Sequence, residues 1–308
     1  MKSGEAFLIA VACMSLVVAL NRYCAAAEKK VPEPKGESKP VAIRDLLWVW
    51  GNPEMAEEGA HDLGSFAQAG PAERAQLLGV NNIVMAGYGL PHDEEKADAL
   101  TKQVAGFPRL VWEIGCDDEG GGPPFEYAET IGRIRRLVDA YPQIEGVLVD
   151  DMSTVKIDRG FKPEHLRQIQ ELLSGDYGRL NVWGVLYTMT LDREGIQQYI
   201  DELDVINLWT WHAKDVVDIE KNVAECERRW PGKPIVLGLY LYDYGQGRRM
   251  PLDLLETQCA TALEIAHAGR IQGIVLLTIN NDPEALAWTA NWIERVGAQK
   301  IGAARLQP

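Results

Sequence analysis

Short apolar runs and amphipathic segments follow one another along the chain in a pattern that repeats eight times between Asp45 and Gly297. In each repeat, a short run rich in Val, Ile, Leu and Trp ends in polar or aromatic residues, and a loop and an amphipathic segment follow. Runs that are apolar at nearly every position predict strands buried on both faces of a parallel sheet. The predicted strands are Leu46–Trp50, Asn82–Gly87, Arg109–Gly115, Glu145–Asp151, Asn181–Tyr187, Asp204–Thr210, Pro234–Tyr242 and Ile271–Thr278.

The segments between these strands have the features of helices. Phe125–Tyr141 has apolar residues at a period of about 3.6 residues, as expected for a helix with one buried face. Pro163–Leu173 and Pro251–Ala268 each begin with proline, which is favoured in the first helical turn. Asp282 precedes Pro283 and predicts the N-cap of the last helix.

Eight alternating strand and helix units over roughly 250 residues predict an α/β fold, the closed parallel (β/α)₈ or TIM barrel. The alternative is a doubly wound open sheet, which carries a glycine-rich phosphate-binding turn after its first strand. Gly51-Asn52-Pro53 follows the first strand here, and it is no such turn. We therefore predict a barrel over residues 45–299. A flexible leader over residues 28–44 is predicted to precede it, and a C-terminal tail over residues 300–308 to follow it.

The first residues have the features of an export signal. Lys2 precedes the apolar run Phe7–Leu20, and the small residues Ala25–Ala27 follow it. This order predicts a signal peptide over residues 1–27 that is cleaved after Ala27, and hence a secreted or periplasmic protein. A membrane anchor is the alternative, but the run is shorter than the ~20 residues of a spanning helix.

The net charge of the chain disfavours one class of partner. The formal net charge is −14, and a field of this sign repels phosphate backbones, so we do not expect nucleic acid to bind.

The predicted mature protein keeps Cys116, Cys226 and Cys259, and export permits disulfides. If a pair forms, Cys226 and Cys259 are the candidates, because they lie on consecutive predicted helices.

Aromatic residues concentrate where a TIM barrel has its active site, at the C-terminal ends of the strands. Five of the nine tryptophans lie at these predicted ends. Ligand pockets combine apolar and aromatic walls with a few polar groups, and the apolar faces of sugar rings stack on such walls. The alternative is that these rings only fill the barrel and the helix interfaces. The predicted substrate-binding residues are Trp48, Trp50, Asn52, Tyr88, Trp112, Tyr187, Trp209, Trp211, His212, Tyr242 and Asn280.

Four carboxylates also lie at strand ends, namely Glu113, Asp150, Asp151 and Asp243, and these are the predicted catalytic residues. Cleavage of a glycosidic bond uses two carboxyl groups, one protonated and one ionised. Because neighbouring strand residues point to opposite faces, only one of Asp150 and Asp151 is expected to face the barrel axis, and Asp150 is preferred. The apolar Trp112 is expected to raise the pKa of Glu113, as suits a general acid. Structural roles as caps or buried ion pairs are the alternatives.

One segment carries a family resemblance. Ile144–Met152 reads Ile-Glu-Gly-Val-Leu-Val-Asp-Asp-Met. It resembles the fourth strand of several glycoside hydrolase barrels, including chitinase-like and polygalactosaminidase-like ones, in which a Gly-apolar-apolar-apolar-Asp run delivers a catalytic or substrate-binding aspartate. Chitinases place a catalytic glutamate where this chain has Met152. The resemblance is limited to this strand and the overall architecture, and it implies a functional role for Asp150.

These observations predict a secreted glycoside-hydrolase-like enzyme that cleaves a poly- or oligosaccharide with two carboxylates at the barrel rim. A carbohydrate-binding barrel without catalysis and a metal-dependent isomerase, lyase or hydrolase barrel are the alternatives. Histidines other than His212 are scarce at the strand ends, which disfavours a metal site, so neither a metal nor a cofactor is expected.

Overall fold

The computed structural model describes residues 40–51, 69–87, 89–115, 125, 127–278 and 282–301. Their strands are β1 Val41–Ala42, β2 Leu47–Gly51, β3 Asn82–Met85, β4 Arg109–Glu113, β5 Ile144–Val149, β6 Asn181–Tyr187, β7 Val205–Trp209, β8 Ile235–Tyr240, β9 Tyr242–Asp243, β10 Arg248–Arg249, β11 Gly273–Leu277 and β12 Lys300–Ile301. Their α-helices are α1 Ile43–Leu46, α2 Pro71–Leu78, α3 Glu94–Gln103, α4 Ala128–Ala140, α5 Pro163–Leu172, α6 Ile196–Asp201, α7 Ile219–Arg229, α8 Leu252–His267 and α9 Pro283–Val296.

Eight strands form a closed parallel barrel in the order β11-β2-β3-β4-β5-β6-β7-β8. The order around the barrel follows the order along the chain, and β11 closes the barrel by pairing with both β8 and β2. All eight predicted strands are present, and the predicted (β/α)₈ barrel is confirmed. The strands are almost entirely buried, which is why their sequences are apolar throughout rather than alternating.

The predicted helix starts at Pro163 and Pro283 are confirmed, whereas Pro251 is the N-cap of α8 and precedes its first turn. Proline occupies the first turn of α2, α5 and α9, and the Asp282 side chain caps α9 by accepting a hydrogen bond from the backbone N–H of Glu284 at 3.1 Å. The predicted helix at Phe125–Tyr141 is α4, which buries Ile131 and Ile134 against the barrel. Among the described residues, no helix is long and apolar enough to cross a membrane.

Strand register determines which side chains point into the barrel. In β2, Trp48 and Trp50 point inward, at different depths along the axis. Trp48 is level with Asn82 of β3, and Trp183 of β6 packs against its ring with the centroids 5.2 Å apart. Glycines make room for these two indoles, since a Cβ at Gly273 would lie 3.0 Å from the Trp48 Nε1. Two tryptophans therefore pack together inside the N-terminal end of the barrel.

The two ends of the described barrel pair with each other. Val41–Ala42 falls in the predicted leader and Lys300–Ile301 in the predicted tail, yet these residues form an antiparallel pair. Backbone bonds from Ile43 N to Gln299 O at 2.9 Å and from Arg44 N to Gly297 O at 3.0 Å extend the contact.

The candidate disulfide is not formed. Cys226 lies on α7 and Cys259 on α8, and both thiols are buried and free. Burial raises the pKa of the Cys226 thiol to about 12 and raises that of Cys259 as well. Buried neutral thiols of this kind pack as small apolar side chains.

Candidate active site

The C-terminal end of the barrel holds a cavity of about 230 Å³. Inward-facing positions at the tops of β2, β6, β7 and β8 supply large rings, and the residues that follow β5 supply two carboxylates. The lining consists of Trp50, Gly87, Asp150, Asp151, Val185, Tyr187, Trp209, Trp211, Tyr240, Tyr244 and Leu277.

The aromatic side chains of this lining form one connected wall. Trp209 contacts Trp50 at a centroid distance of 5.4 Å and Tyr240 at 4.7 Å. Trp211 continues the wall, 5.9 Å from Tyr240 and 5.6 Å from Tyr244. Trp211 and Tyr244 are only half-buried, so they present ring surface toward the opening, whereas Trp209 and Tyr240 form the floor.

A glycine on the next strand fixes the position of Trp209. A Cβ at Gly238 of β8 would lie 2.0 Å from Trp209 Cδ2, so only glycine admits the indole at this level. The indole N–H donates to Asn207 Oδ1 at 2.7 Å, and the Asn207 amide donates to Val236 O at 3.1 Å. The ring is thus held both by packing and by a buried hydrogen-bond chain.

Asp150 and Asp151 both line the cavity. The expectation that only one of them faces the barrel axis is wrong, because β5 ends at Val149 and strand alternation no longer applies beyond it. Asp151 adopts a left-handed conformation with φ of 48°, unlike any other non-glycine residue among those described. This conformation turns its side chain back toward the cavity beside Asp150, and such strain in a non-glycine residue is typical of functional sites.

A π-helical turn over Met152–Lys156 follows the two aspartates and ties them to β6. The Ser153 hydroxyl accepts a hydrogen bond from the backbone N–H of Tyr187 at 3.0 Å, and the Tyr187 hydroxyl donates to Asp151 Oδ1 at 2.7 Å. One residue of β6 therefore holds both the turn and the Asp151 carboxylate. Met152, where a chitinase would carry its glutamate, is fully buried and does not line the cavity.

Burial sets the protonation of the groups around the cavity. It raises the pKa of Asp150 well above its usual value, and the neighbouring carboxylates of Glu113 and Asp151 raise that pKa further. Burial also raises the pKa of the Tyr187 and Tyr240 hydroxyls, so both remain hydrogen-bond donors. The cavity therefore contains a carboxyl group that keeps its proton at a pH where an exposed aspartate has lost it.

Glu113 lies behind the cavity wall and not on it. Its Oε2 accepts hydrogen bonds from the backbone N–H groups of Gly87 at 2.6 Å and Gly89 at 3.1 Å, so it holds the loop after β3. Burial raises the pKa of Glu113, and the hydrogen bond from Gly87 opposes this. The expected rise in the pKa of Glu113 is therefore present, with burial as its main cause. Trp112 alternates with Glu113 on β4 and points to the helix layer, fully buried.

Asp243, His212 and Tyr242 lie outside the cavity lining. Asp243 is buried and accepts a hydrogen bond from Ala213 N at 3.3 Å, and it also pairs with the Arg248 guanidinium at 3.3 Å. This carboxylate therefore holds together the segments that follow β7 and β8. A Cβ at Gly245 would lie 2.0 Å from Nδ1 of His212, so the His212 ring packs directly against Gly245.

Trp48 lies at the opposite end of the barrel from the candidate site. Together with Trp183 it borders a separate cavity of about 690 Å³ at the N-terminal end, and Arg109 stacks over its ring at 4.6 Å. The structure thus brings Trp50, Tyr187, Trp209 and Trp211 of the predicted set to the candidate site but not Trp48 or Trp112. Asn52, Tyr88 and Asn280 lie outside the described residues.

Sequence reasoning missed two tyrosines of the lining, Tyr240 and Tyr244, and selected Tyr242 between them. Two-residue alternation from Gly238, which faces Trp209, indicates Tyr240 as the inward residue of β8. The buried Lys156 behind the site gave no signal in the sequence, since its position depends on the π-helical turn. In the described part of the chain, no group of three or more His, Cys, Asp or Glu side chains is arranged to hold a metal ion.

Two solved structures with a similar fold are a spore cortex-lytic enzyme and a chitinase. The spore cortex-lytic enzyme SleL of Bacillus megaterium QM B1551 superposes with a TM-score of 0.52 at 9% identity, covering 88% of this chain and 76% of that one. A chitinase from Chromobacterium violaceum ATCC 12472 superposes with a TM-score of 0.50 at 10% identity, covering 80% of this chain and 98% of that one. No protein-family model and no curated protein sequence matches the chain. These likenesses show the (β/α)₈ fold alone, and the chemistry has to be argued from the site.

Proposed function

We propose that this chain is a glycoside hydrolase that cleaves O-glycosidic bonds of a poly- or oligosaccharide in the cavity at the C-terminal end of its barrel. The observation that carries the proposal is the presence of two carboxyl groups, Asp150 and Asp151, in different environments within one aromatic-walled cavity. Paired carboxyl groups with distinct protonation are what glycosidic cleavage uses. The barrel shared with a chitinase accords with this substrate class.

Asp150 is the proposed general acid. Its raised pKa keeps a proton available, and that proton passes to the glycosidic oxygen as the bond to the leaving group breaks. Asp151 is the proposed ionised partner, acting as nucleophile or base. The Tyr187 hydroxyl fixes its carboxylate by a 2.7 Å hydrogen bond, and a carboxylate held in one orientation is suited to attack or to activate water.

The aromatic wall provides the proposed sugar platform. Trp211 and Tyr244 are half-buried with ring surface near the opening, and the apolar face of a sugar ring can stack on such rings. Trp50 and Trp209 pack against each other on the inner side of the cavity. A bound sugar would displace water from this cavity, which strengthens the interaction of the carboxyl groups with charge that develops on the sugar.

Export completes the proposal, because polymeric glycans are met outside the cytoplasm. The order of Lys2, the apolar run Phe7–Leu20 and the small residues Ala25–Ala27 supports a signal peptide. N-terminal sequencing of the protein recovered from the medium or periplasm is expected to begin at Glu28.

The experiment is a digestion screen of polysaccharides and oligosaccharides with residues 28–308, comparing the wild type with three variants. Asp150→Asn and Asp151→Asn are expected to lower kcat by about 10²–10⁴-fold, the usual contribution of a positioned acid or base. Asp176→Asn is the matched control, since Asp176 is exposed on the turn after α5 and should leave turnover unchanged.

The same screen separates the proposal from its alternatives. Calorimetry with the wild type and Asp150→Asn measures glycan binding independently of turnover, and both proteins are expected to bind. Retained hydrolysis in both Asp150→Asn and Asp151→Asn would show that the carboxylates are assigned incorrectly. Binding by the wild type without any released product would favour the non-catalytic barrel.

A further inference from the structure

The lining of the candidate site combines acidic and aromatic groups. Two carboxyl groups and six aromatic rings line the cavity, and among the described residues no lysine, arginine or histidine does so. The rings are those of Trp50, Tyr187, Trp209, Trp211, Tyr240 and Tyr244. An ionised carboxylate attracts a cation by its charge, and the face of an aromatic ring attracts it through the ring quadrupole. Both kinds of lining group therefore favour a positively charged ligand.

The arginines nearest to this lining along the chain are paired with other carboxylates. Arg248 and Arg249 lie on the hairpin that carries Tyr244, which lines the cavity. Arg248 pairs with Asp243 at 3.3 Å and Arg249 with Asp282 at 3.5 Å, and both aspartates are buried. Because each guanidinium already has a buried counterion, this hairpin does not provide an anion site for the substrate.

The acidic groups of the site exceed the cations around them. Lys156 is buried and does not line the cavity, and electrostatic interactions link it to Glu113 and Asp150. A single ammonium balances at most one carboxylate. Asp151 accepts a hydrogen bond from the neutral Tyr187 hydroxyl at 2.7 Å and forms no ion pair with a basic side chain in the described part of the chain. An ionised Asp151 therefore directs an unpaired negative charge at the cavity.

The rings around Trp211 are arranged so that several can act on one bound cation. Tyr187 and Tyr240 meet the Trp211 ring at nearly right angles, 88° and 86°, with centroid distances of 5.6 and 5.9 Å. Tyr244 lies 5.6 Å away and is tilted by 39°. A ring attracts a cation over about 6 Å, and rings that enclose a cavity from different directions are the usual way in which proteins recognise ammonium groups.

The charge of the whole chain acts in the same direction. The formal net charge is −14. A cleft lined by one sign of charge raises the local concentration of ligands of the opposite sign. An anionic glycan is repelled by this field, and a neutral glycan gains nothing from it.

We propose that this cavity selects an ammonium group, and that the glycan cleaved by the proposed enzyme carries a free amino group on the sugar that enters the cavity. The ammonium lies against the faces of Trp211 and the neighbouring tyrosines, and the ionised Asp151 attracts it across the cavity. Because the rings hold the ammonium, Asp151 remains available as nucleophile or base. The inference rests on the proposed function only in naming a glycan, since binding of an ammonium group needs no catalysis.

The test is calorimetric binding of ligands of matched shape to the mature protein. One set is the β-1,4-linked tetramers of glucosamine, N-acetylglucosamine and glucose, which differ only in the amino, acetamido or hydroxyl group at C2. The second set is choline and its uncharged isostere 3,3-dimethylbutan-1-ol. At about pH 6, where an amine remains protonated, we expect each ammonium ligand to bind about 10–100-fold more tightly than its neutral counterparts.

Two variants assign this preference to the named groups. Asp151→Asn removes the charge and keeps the shape, and Trp211→Leu removes the central ring, so each is expected to lower the preference about 5–10-fold. Their controls are Asp176→Asn, at an exposed aspartate, and Trp288→Leu, at a half-buried tryptophan of α9 that does not line the cavity. Both controls should keep the wild-type preference.

Several results would overturn the inference. Equal binding of ammonium and neutral ligands by the wild type is one, and it needs no variant to fold. Absence of binding by both ammonium ligands is another, and so is a preference that survives Asp151→Asn and Trp211→Leu unchanged. A preference confined to choline overturns the assignment to an amino sugar. If ammonium ligands are preferred but no glycan is hydrolysed, the proposed function fails and the ammonium site stands. If neutral glycans are hydrolysed through Asp150 and Asp151 without any ammonium preference, the reverse holds.

Discussion

Replacement of Gly238 by alanine directly tests the packing that forms the floor of the candidate site. The added Cβ would lie 2.0, 2.2 and 2.3 Å from three carbons of the Trp209 ring, where normal carbon contacts are about 3.5–4.0 Å. Other contacts hold the ring on the sides that do not border the cavity. Trp50 and Tyr240 pack against it, and its N–H is bonded to Asn207 at 2.7 Å.

The expected cost follows from these contacts. Overpacking of a core costs about 1–3 kcal/mol, and a displacement of more than 1 Å against two further rings places this site near the upper value. For a domain of this size, 1 kcal/mol corresponds to roughly 2–4 °C in Tm. We therefore expect Gly238→Ala to lower the Tm by roughly 6–12 °C.

The assay is thermal unfolding followed by far-ultraviolet circular dichroism. Gly106→Ala is the matched control, because a Cβ there meets nothing within 4 Å, and it should leave the Tm unchanged or slightly raised. The double variant Gly238→Ala with Trp209→Leu removes the clashing ring, so its loss should be smaller than the sum of the two single losses. A Gly238→Ala protein that melts like Gly106→Ala, or strictly additive losses in the double variant, would refute the packing argument.

Two further predictions concern the carboxyl groups. Tyr187→Phe removes the 2.7 Å hydrogen bond to Asp151 and is expected to lower kcat by about 10–100-fold, since a bond to a charged group contributes about 1.5–3 kcal/mol. The control is Tyr141→Phe, which removes a similar 2.8 Å bond to an exposed aspartate and should leave kcat unchanged. Equal effects of the two substitutions on kcat would contradict the role of Tyr187. Because the pKa of Asp150 is raised in the folded state, the stability that its proton provides is present at low pH and is lost as pH rises toward that raised pKa. Urea unfolding should therefore show Asp150→Asn gaining stability over the wild type as pH rises from about 4 and then levelling off, whereas a difference independent of pH, as in the Asp176→Asn control, would contradict the raised pKa.

The sequence predicted the elements of this fold because the signals for them are local. The apolar runs mark all eight barrel strands, and Asp282 and the prolines at 163 and 283 mark helix starts. A strand buried on both faces has to be apolar throughout, and a helix start has to satisfy its own N–H groups, so both requirements are visible within a few residues. Closure of the barrel followed from the number of units.

The sequence could predict only part of the candidate site, because direction and depth are set by partners far along the chain. Trp48 and Trp50 are two residues apart on one strand, yet they lie at opposite ends of the barrel interior, and only Trp50 reaches the site. Trp112 and Glu113 are adjacent, yet the tryptophan points to the helices, and two loop amides hold the glutamate behind the wall.

The aspartate pair shows most clearly what the sequence determined and what the tertiary structure decided. The sequence placed Asp150 and Asp151 at the end of a buried strand, because the apolar run before them stops there. Only the tertiary structure brings both side chains into one cavity, through the left-handed backbone of Asp151, the π-helical turn after it and the Tyr187 hydroxyl from the next strand. Strand alternation is a property of local backbone geometry, whereas the conformation that overrides it depends on hydrogen bonds between residues far apart in the chain.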